Sequence, residues 1–200
     1  MSRTKTFRKT LRSLAARAAG RSARGESGSV IVEFALIAPM FFFLMFVIAE
    51  TALVFIAEQV LDNAVFESAR LIRTGQAQNG QPQLGKPPLT KETFKAEVCG
   101  RASIFIDCTS PDFYLDVRAY DAFGDISVGK PVNDEDEFED EGQYIAGEKN
   151  DIVVVRAFYQ WPTSPFIGVF GKLSLQTLGN GKRLIGTFAA FKNEPYTGAN

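Results

Sequence analysis

The chain has 200 residues and a formal net charge of −1, but residues 1–25 hold eight of the 22 Lys and Arg and no acid. Residues 26–200 therefore carry 14 basic against 23 acidic groups, a basic head on an acidic body. Histidine is absent, which excludes Ser-His-Asp and Cys-His nucleophile pairs and a His general base. The two cysteines are too few for a structural zinc site built on four Cys or His ligands.

From Phe34 to Ala57 the chain is apolar, with Glu50 as the single charged interruption. A bilayer core needs roughly 20 mainly apolar residues as helix, and Val30 to Ala57 supplies 28. Phe34 to Ala49 shows no polar face, unlike a soluble core helix. A conventional signal peptide is the other possibility, with Val47-Ile48-Ala49 as a loose cleavage site, but the apolar run continues past it. The expectation is one transmembrane helix. Arg3, Lys5, Arg8, Lys9, Arg12, Arg17, Arg21 and Arg24 precede it, and positive flanks stay cytoplasmic. The acidic body is then exported, and a span directly after the basic cluster explains that cluster without nucleic acid. Pro39 predicts a kink near Ala35.

Past the span the pattern becomes two-faced. Leu53, Ala57, Val60, Leu61, Ala64, Val65, Ser68, Leu71 and Ile72 recur at three- and four-residue steps. One helix is expected from about Ser29 to Arg73, stopped at Thr74-Gly75. Its division is predicted as a basic leader 1–28, a span 29–57 and a continuation 58–74 outside the membrane, before a domain over 75–200.

At the head of the span, Gly28-Ser29-Val30-Ile31-Val32-Glu33-Phe34-Ala35-Leu36, followed by Pro39, places a glycine five residues before a carboxylate. A carboxylate at that depth is expensive unless it is paired or reaches the interface. This segment resembles the start of TadE-like proteins, the minor pseudopilins of tight-adherence (Flp-type) pilus systems. The likeness continues through Gln59-Val60-Leu61 and Ala69-Arg70, and more loosely to Phe191-Lys192-Asn193-Glu194-Pro195. The resemblance implies that a prepilin peptidase cuts between Gly28 and Ser29 on the cytoplasmic face, so that Glu33 becomes the fifth residue of the mature chain. Cutting frees an amino group at Ser29, and a carboxylate one helical turn away, in its own or a neighbouring subunit, can neutralise it. Ser29 departs from the major-pilin pattern, in which an aromatic is commoner there. Glu50 is expected at the exported interface, snorkelling or making a polar contact with a subunit or the assembly platform.

In the body, Gly75 to Pro88 reads as a surface loop. Thr90 N-caps a short helix to about Ser103, with Phe94, Val98 and Ala102 on one face. Cys99 and Cys108, nine positions apart in an oxidising compartment, are expected to form a disulfide. Alternation over Phe113–Tyr120, the run Ile152–Tyr159 and the segment Lys182–Phe191 predict three strands. They are expected to form an antiparallel sheet. A long N-terminal helix followed by a short helix and such a sheet is a pilin-like α+β fold. Asp112 and Asp116 read as strand-face acids. The run Asp134 to Glu141 lacks EF-hand spacing and reads as a solvated loop, with cation binding left open.

The functional expectation is a minor pseudopilin, without enzymatic activity, cofactor or metal. Its partners would be the inner membrane, a prepilin peptidase, other pseudopilins or pilins and the assembly platform, with homo- or hetero-oligomers open. Two rivals stand beside it: an uncleaved bitopic component of the pilus export apparatus, and a membrane-tethered periplasmic enzyme or binding domain.

Overall fold

A computed structural model describes residues 26–126, 132–133, 142–163, 178 and 180–196. The basic residues 3–24 and the acidic run 134–141 lie outside them. The fold is α+β. Helix α1 spans Glu26–Arg73, α2 Gln76–Asn79 and α3 Lys91–Ala102; the strands are β1 Phe113–Tyr120, β2 Ile152–Pro162 and β3 Lys182–Lys192. The chain divides into two units, residues 1–49 and 50–200.

Of the first unit, residues 26–49 are helix throughout. Its large apolar side chains stand exposed on every side, including Val30, Phe34, Met40 and Phe46. Such a surface in water would oppose the hydrophobic effect along its whole length, and in lipid it would not. Pro39 sits inside the helix without ending it.

In the second unit, residues 54–72 of α1 form the floor of the core. Val54, Ala57, Leu61, Ala64, Val65, Ala69 and Ile72 are buried at three- and four-residue steps. Phe94, Val98 and Ala102 of α3 join the same core at exact one-turn intervals. Thr90 caps α3 through a reciprocal box: the Thr93 N–H donates to the Thr90 hydroxyl (3.4 Å) and the Thr90 N–H donates to that of Thr93 (2.7 Å).

The sheet order is β1-β2-β3, all antiparallel. Its inner face carries Phe113, Leu115, Val117, Val153, Val155, Ala157, Tyr159, Ile185 and Ala189 into the core. The Thr187 hydroxyl donates to Asp62 of α1, tying β3 to that helix. Segment 142–147 closes the far edge of β1: the Val117 N–H donates to the Gln143 carbonyl (2.9 Å) and the Ile145 N–H to that of Val117 (2.8 Å).

One expectation is corrected here and one is sharpened. The stretch after α1 is no plain surface loop. Gly75 takes a left-handed φ of 77° to end the helix, α2 buries Ala77, and Gln81 bridges Lys86. Asp116 lies on the face of its strand as expected, but that face is not open to solvent there: the side chain is 1% exposed. Its strand alternates as expected, yet the outer face it points to is covered, since Ile152, Val154, Arg156 and Gln160 on that face are buried too.

Asp116 stands directly across from Arg156 in the β1–β2 register. Its Oδ2 accepts from Arg156 Nε (2.9 Å) and Nη2 (2.6 Å), and its Oδ1 from Arg118 Nε (3.0 Å) and the Gln143 N–H (2.8 Å). Burial raises the Asp116 pKa, but the Gln143 N–H and the two arginines outweigh it and hold the carboxyl below the usual range. The pair thus fastens the 142–147 segment to the sheet.

The tail returns to the end of α1. The Glu194 N–H donates to the Arg73 carbonyl (2.9 Å), and their side chains pair at 3.1 Å. Asn193, 2% exposed, donates through Nδ2 to the carbonyls of Ala146 (3.1 Å) and Glu148 (2.8 Å). The Tyr196 ring lies where a side chain on Gly75 would be, so glycine is required there both for its φ and for space.

Removing one partner of a buried pair leaves the other charge uncompensated. Asp116→Ala should therefore lower unfolding stability by about 3–5 kcal/mol, and Asp116→Leu with Arg156→Met should recover most of that loss. Because the folded pKa of Asp116 is depressed, its contribution is complete above the unfolded value of about 3.9 and disappears as pH falls through the lower, folded value. Urea titrations at neutral and acidic pH should show a smaller acid loss in the double variant than in wild type. An equal loss would mean that this pair does not carry the pH dependence.

Candidate functional site at the head of the helix

Gly28, Ser29 and Glu33 lie on consecutive turns of α1, all exposed. A Cβ added at Gly28 would meet no atom within 4 Å. Glycine inside a helix costs about 0.5–1 kcal/mol relative to alanine, so this chain's own packing gives no reason for it. Ser27, Gly28 and Ser29 are three weak helix formers in succession. The Gly28–Ser29 bond is helical here, yet opening that turn is inexpensive.

Glu33 follows Ser29 by four residues, a spacing that puts their side chains on the same face. The positions one turn away, Ser29, Val30, Leu36 and Ile37, offer no cation. Hydrolysis at Gly28–Ser29 would supply one, because the new α-amine has a pKa of about 7.7–8.0 and is charged at neutral pH. A positive group at a helix N-terminus is disfavoured by the helix dipole, and a carboxylate within one turn offsets it.

Glu50, half-exposed, is seventeen residues further along and does not join this group. Cys99 and Cys108 form a separate feature: their Cα atoms are 5.8 Å apart, at disulfide distance, joining the last turn of α3 to the turn after it. The ring they close keeps Ile106 in the core and leaves Ile104 81% exposed.

The two acids at β1, Asp116 and Asp112, are occupied. All four oxygen contacts of Asp116 are made by donors that bind its charged form, so it is ill suited to take a proton. Asp112 is held by Lys182, whose Nζ is 2.7 Å from both carboxylate oxygens. No group of three or more potential metal ligands occurs among the described residues.

Sequence reasoning missed Asp116–Arg156, the Asn193 anchor and the Gly75–Tyr196 contact. For the first a signal existed, since opposite charges on adjacent predicted strands fall opposite each other in one register. The other two depend on where the tail returns, which no periodicity encodes.

The chain is thus of the class that carries a single candidate membrane span running into a small α+β domain: among the described residues one helix is long and apolar enough to cross a membrane. Residues 28–70 match the family model described as TadE-like protein, so the chain carries a TadE-like segment that begins at Gly28 and ends within α1. No curated protein and no solved structure matches the chain.

Tyr144 packs its ring against Phe94, with centroids 5.5 Å apart, while its buried hydroxyl has no hydrogen-bond partner among the described residues. Burial pushes its pKa up to about 12. Tyr144→Phe should be neutral or stabilising, because it removes an unsatisfied polar atom and keeps the ring. Cys99→Ser with Cys108→Ser should cost about 2–3 kcal/mol for so short a loop. Chemical denaturation measures both; a destabilised Tyr144→Phe would reveal a partner for the hydroxyl, and an unchanged cysteine variant would remove the stabilising role of the bridge.

Proposed function

We propose that the protein is a minor pseudopilin of a tight-adherence pilus system, cut after Gly28 by a prepilin peptidase and assembled through lateral packing of α1. The observation that carries this reading is Gly28: an exposed helical glycine without a packing role, standing at the first residue of the TadE-like match and one turn and a residue before Glu33. The cut converts Glu33 from an unpaired carboxylate at membrane depth into the counter-charge of a new amine, in its own or an adjacent helix. Such a pair fixes the register of packed helices, which apolar contact alone leaves free.

The charges fit this sequence of events. Leader 1–28 carries +7 and the remaining chain −8, since Glu26 is the only acid in the leader. The positive leader keeps the N-terminus cytoplasmic, and the domain from residue 75 onward faces the periplasm. The partners are the inner membrane, the peptidase, other pilins or pseudopilins and the assembly platform. The domain acts in assembly and not in catalysis; the saturation of Asp116 and the Lys182 clamp on Asp112 support this.

A second reading, an uncleaved bitopic component of the export apparatus, draws on the continuity of α1 from Glu26 through the Gly28–Ser29 bond. Mass spectrometry of the protein extracted from cells with an active prepilin peptidase separates the two. A mature terminus at Ser29 is expected, and Gly28→Val should leave the leader attached. An intact leader in the unaltered chain would sink the pseudopilin reading in favour of the bitopic one. Glu33→Gln should be cut normally yet lose co-purification with its pilus partners by at least about a hundredfold, because removing one member of a buried charge pair costs about 3–5 kcal/mol.

A further inference from the structure

The core of the second unit begins before the apolar run has ended. Val54 and Ala57 belong to that core, yet Leu53, Phe55 and Ile56 on the same turns stand exposed. The exposed side of those turns suits lipid better than water. Roughly 20 helical residues cross a hydrocarbon core, and counted from Phe34, the first residue after Glu33, they end near Leu53. Residues 54–58 then fall in the headgroup layer, which adds about 5–7 Å on each side. The core thus starts where the span ends, with no polar spacer between them.

Contacts along α1 show which end of the sheet lies at that level. The Arg183 guanidinium reaches Glu58 at 3.9 Å, the Thr187 hydroxyl donates to Asp62, and the Glu194 N–H meets the Arg73 carbonyl. β3 therefore runs in the same direction as α1, and its first residues lie beside the last turn of the apolar run. The register brings the end of β2 with them, setting Trp161 opposite Arg183 and Pro162 opposite Lys182. Trp161 is the only tryptophan in the chain. It lies half-buried on the helix-facing side of the sheet, its ring nearly perpendicular to that of Tyr159 at 6.3 Å. Its indole N–H has no hydrogen-bond partner among the described residues. The charges beside it are already paired, Lys182 with Asp112 and Arg183 with Glu58, so the group at this end suited to lipid is the indole.

We propose that the Trp161 end of the sheet rests on the membrane, with the indole lodged in the headgroup layer of the leaflet from which α1 emerges. The partner is a lipid surface. Indole favours that layer because acyl chains meet its apolar ring while lipid carbonyl or phosphate oxygens accept from its N–H. A single helix leaves the domain it carries free to tilt, and a second point of contact removes that freedom. Trp161 therefore holds the domain end-on to the bilayer at a fixed height. The inference rests on α1 crossing the membrane and not on the cut at Gly28.

The test uses the full chain in phosphatidylcholine vesicles, with Trp161 as the sole tryptophan reporter. Lipid brominated close to the headgroup should quench most of its emission, lipid brominated at the chain end should quench less, and iodide in the water should quench little. In Trp161→Phe with Phe123→Trp the reporter moves past the Tyr120 end of β1, at the opposite end of the sheet. There iodide should quench it and neither bromolipid should. Dominant iodide quenching of Trp161 would mean that the domain stands off the membrane, and dominant quenching by the deeper lipid would put the ring in hydrocarbon. No quenching at all would mean that protein encloses it. Each of these overturns the proposal, as does equal lipid quenching of the two reporters, since the domain would then lie on its side. Flotation separates the two levels of the inference. A chain that does not float with the vesicles refutes the span and this contact together, whereas a floating chain with Trp161 unquenched by lipid refutes the contact alone.

Discussion

A three-stranded sheet has one large apolar face to hide and no second sheet to hide it against. Here the cover is α1 from Val54 to Ile72, with α3 beside it. Everything else in the second unit follows from that packing. The apolar steps of the helix set which of its sides faces the sheet, the sheet's alternation sets which residues meet it, and Asp62 on the helix margin receives the Thr187 hydroxyl. Packing its apolar face on such a cover removes that face from water, which is what stabilises a sheet this small. The helix is therefore an internal wall of the domain as well as its connection to the apolar segment before it.

That double use constrains what substitution can do. Residues 34–49 are uncharged and exposed to half-exposed along their length, so the main demand on them is that they be apolar. Residues 54–72 must be apolar at defined positions, with the small residues Ala57, Ala64 and Ala69 among the buried ones. The polar fastenings sit around the margin of this core and not within it. Asp116 and Arg156 bind the outer face to the edge segment, Lys182 and Asp112 join β3 to the turn before β1, and Lys91 donates to the Gly142 carbonyl at 2.7 Å.

The elements were legible in the sequence because each announces itself locally. The uninterrupted apolarity of Phe34 to Ala49, the three- and four-residue steps of Ala57 to Ile72, and the alternation of Phe113 to Tyr120 depend on neighbours within one turn or one pleat. The strands came out at the expected segments and in the antiparallel sense, and the Thr90 cap where its hydroxyl suggested. The head of the helix was legible as a motif, and its geometry added that Gly28 has open space around it. What did not show was long-range. Whether Asp116 meets water depends on what covers the outer face of the sheet, and alternation reports only that it points away from the core. The stretch after Gly75 looked like loop because its glycines and prolines forbid a long helix; they do not forbid a four-residue helix that buries Ala77.

The return of the tail has a bearing on the order of events during biosynthesis. The carbonyl of Arg73 at the end of α1 is met by the N–H of Glu194, and the place beside Gly75 is filled by Tyr196. Contacts joining residues 73–75 to 194–196 cannot form until nearly all of the domain has been synthesised. The apolar segment of α1, by contrast, precedes the whole domain in the chain and is made before any of those contacts can form. Membrane insertion is thus decided by a segment that is complete early, and closure of the domain by a clasp that is made late, so the anchor is committed before the fold it carries can finish.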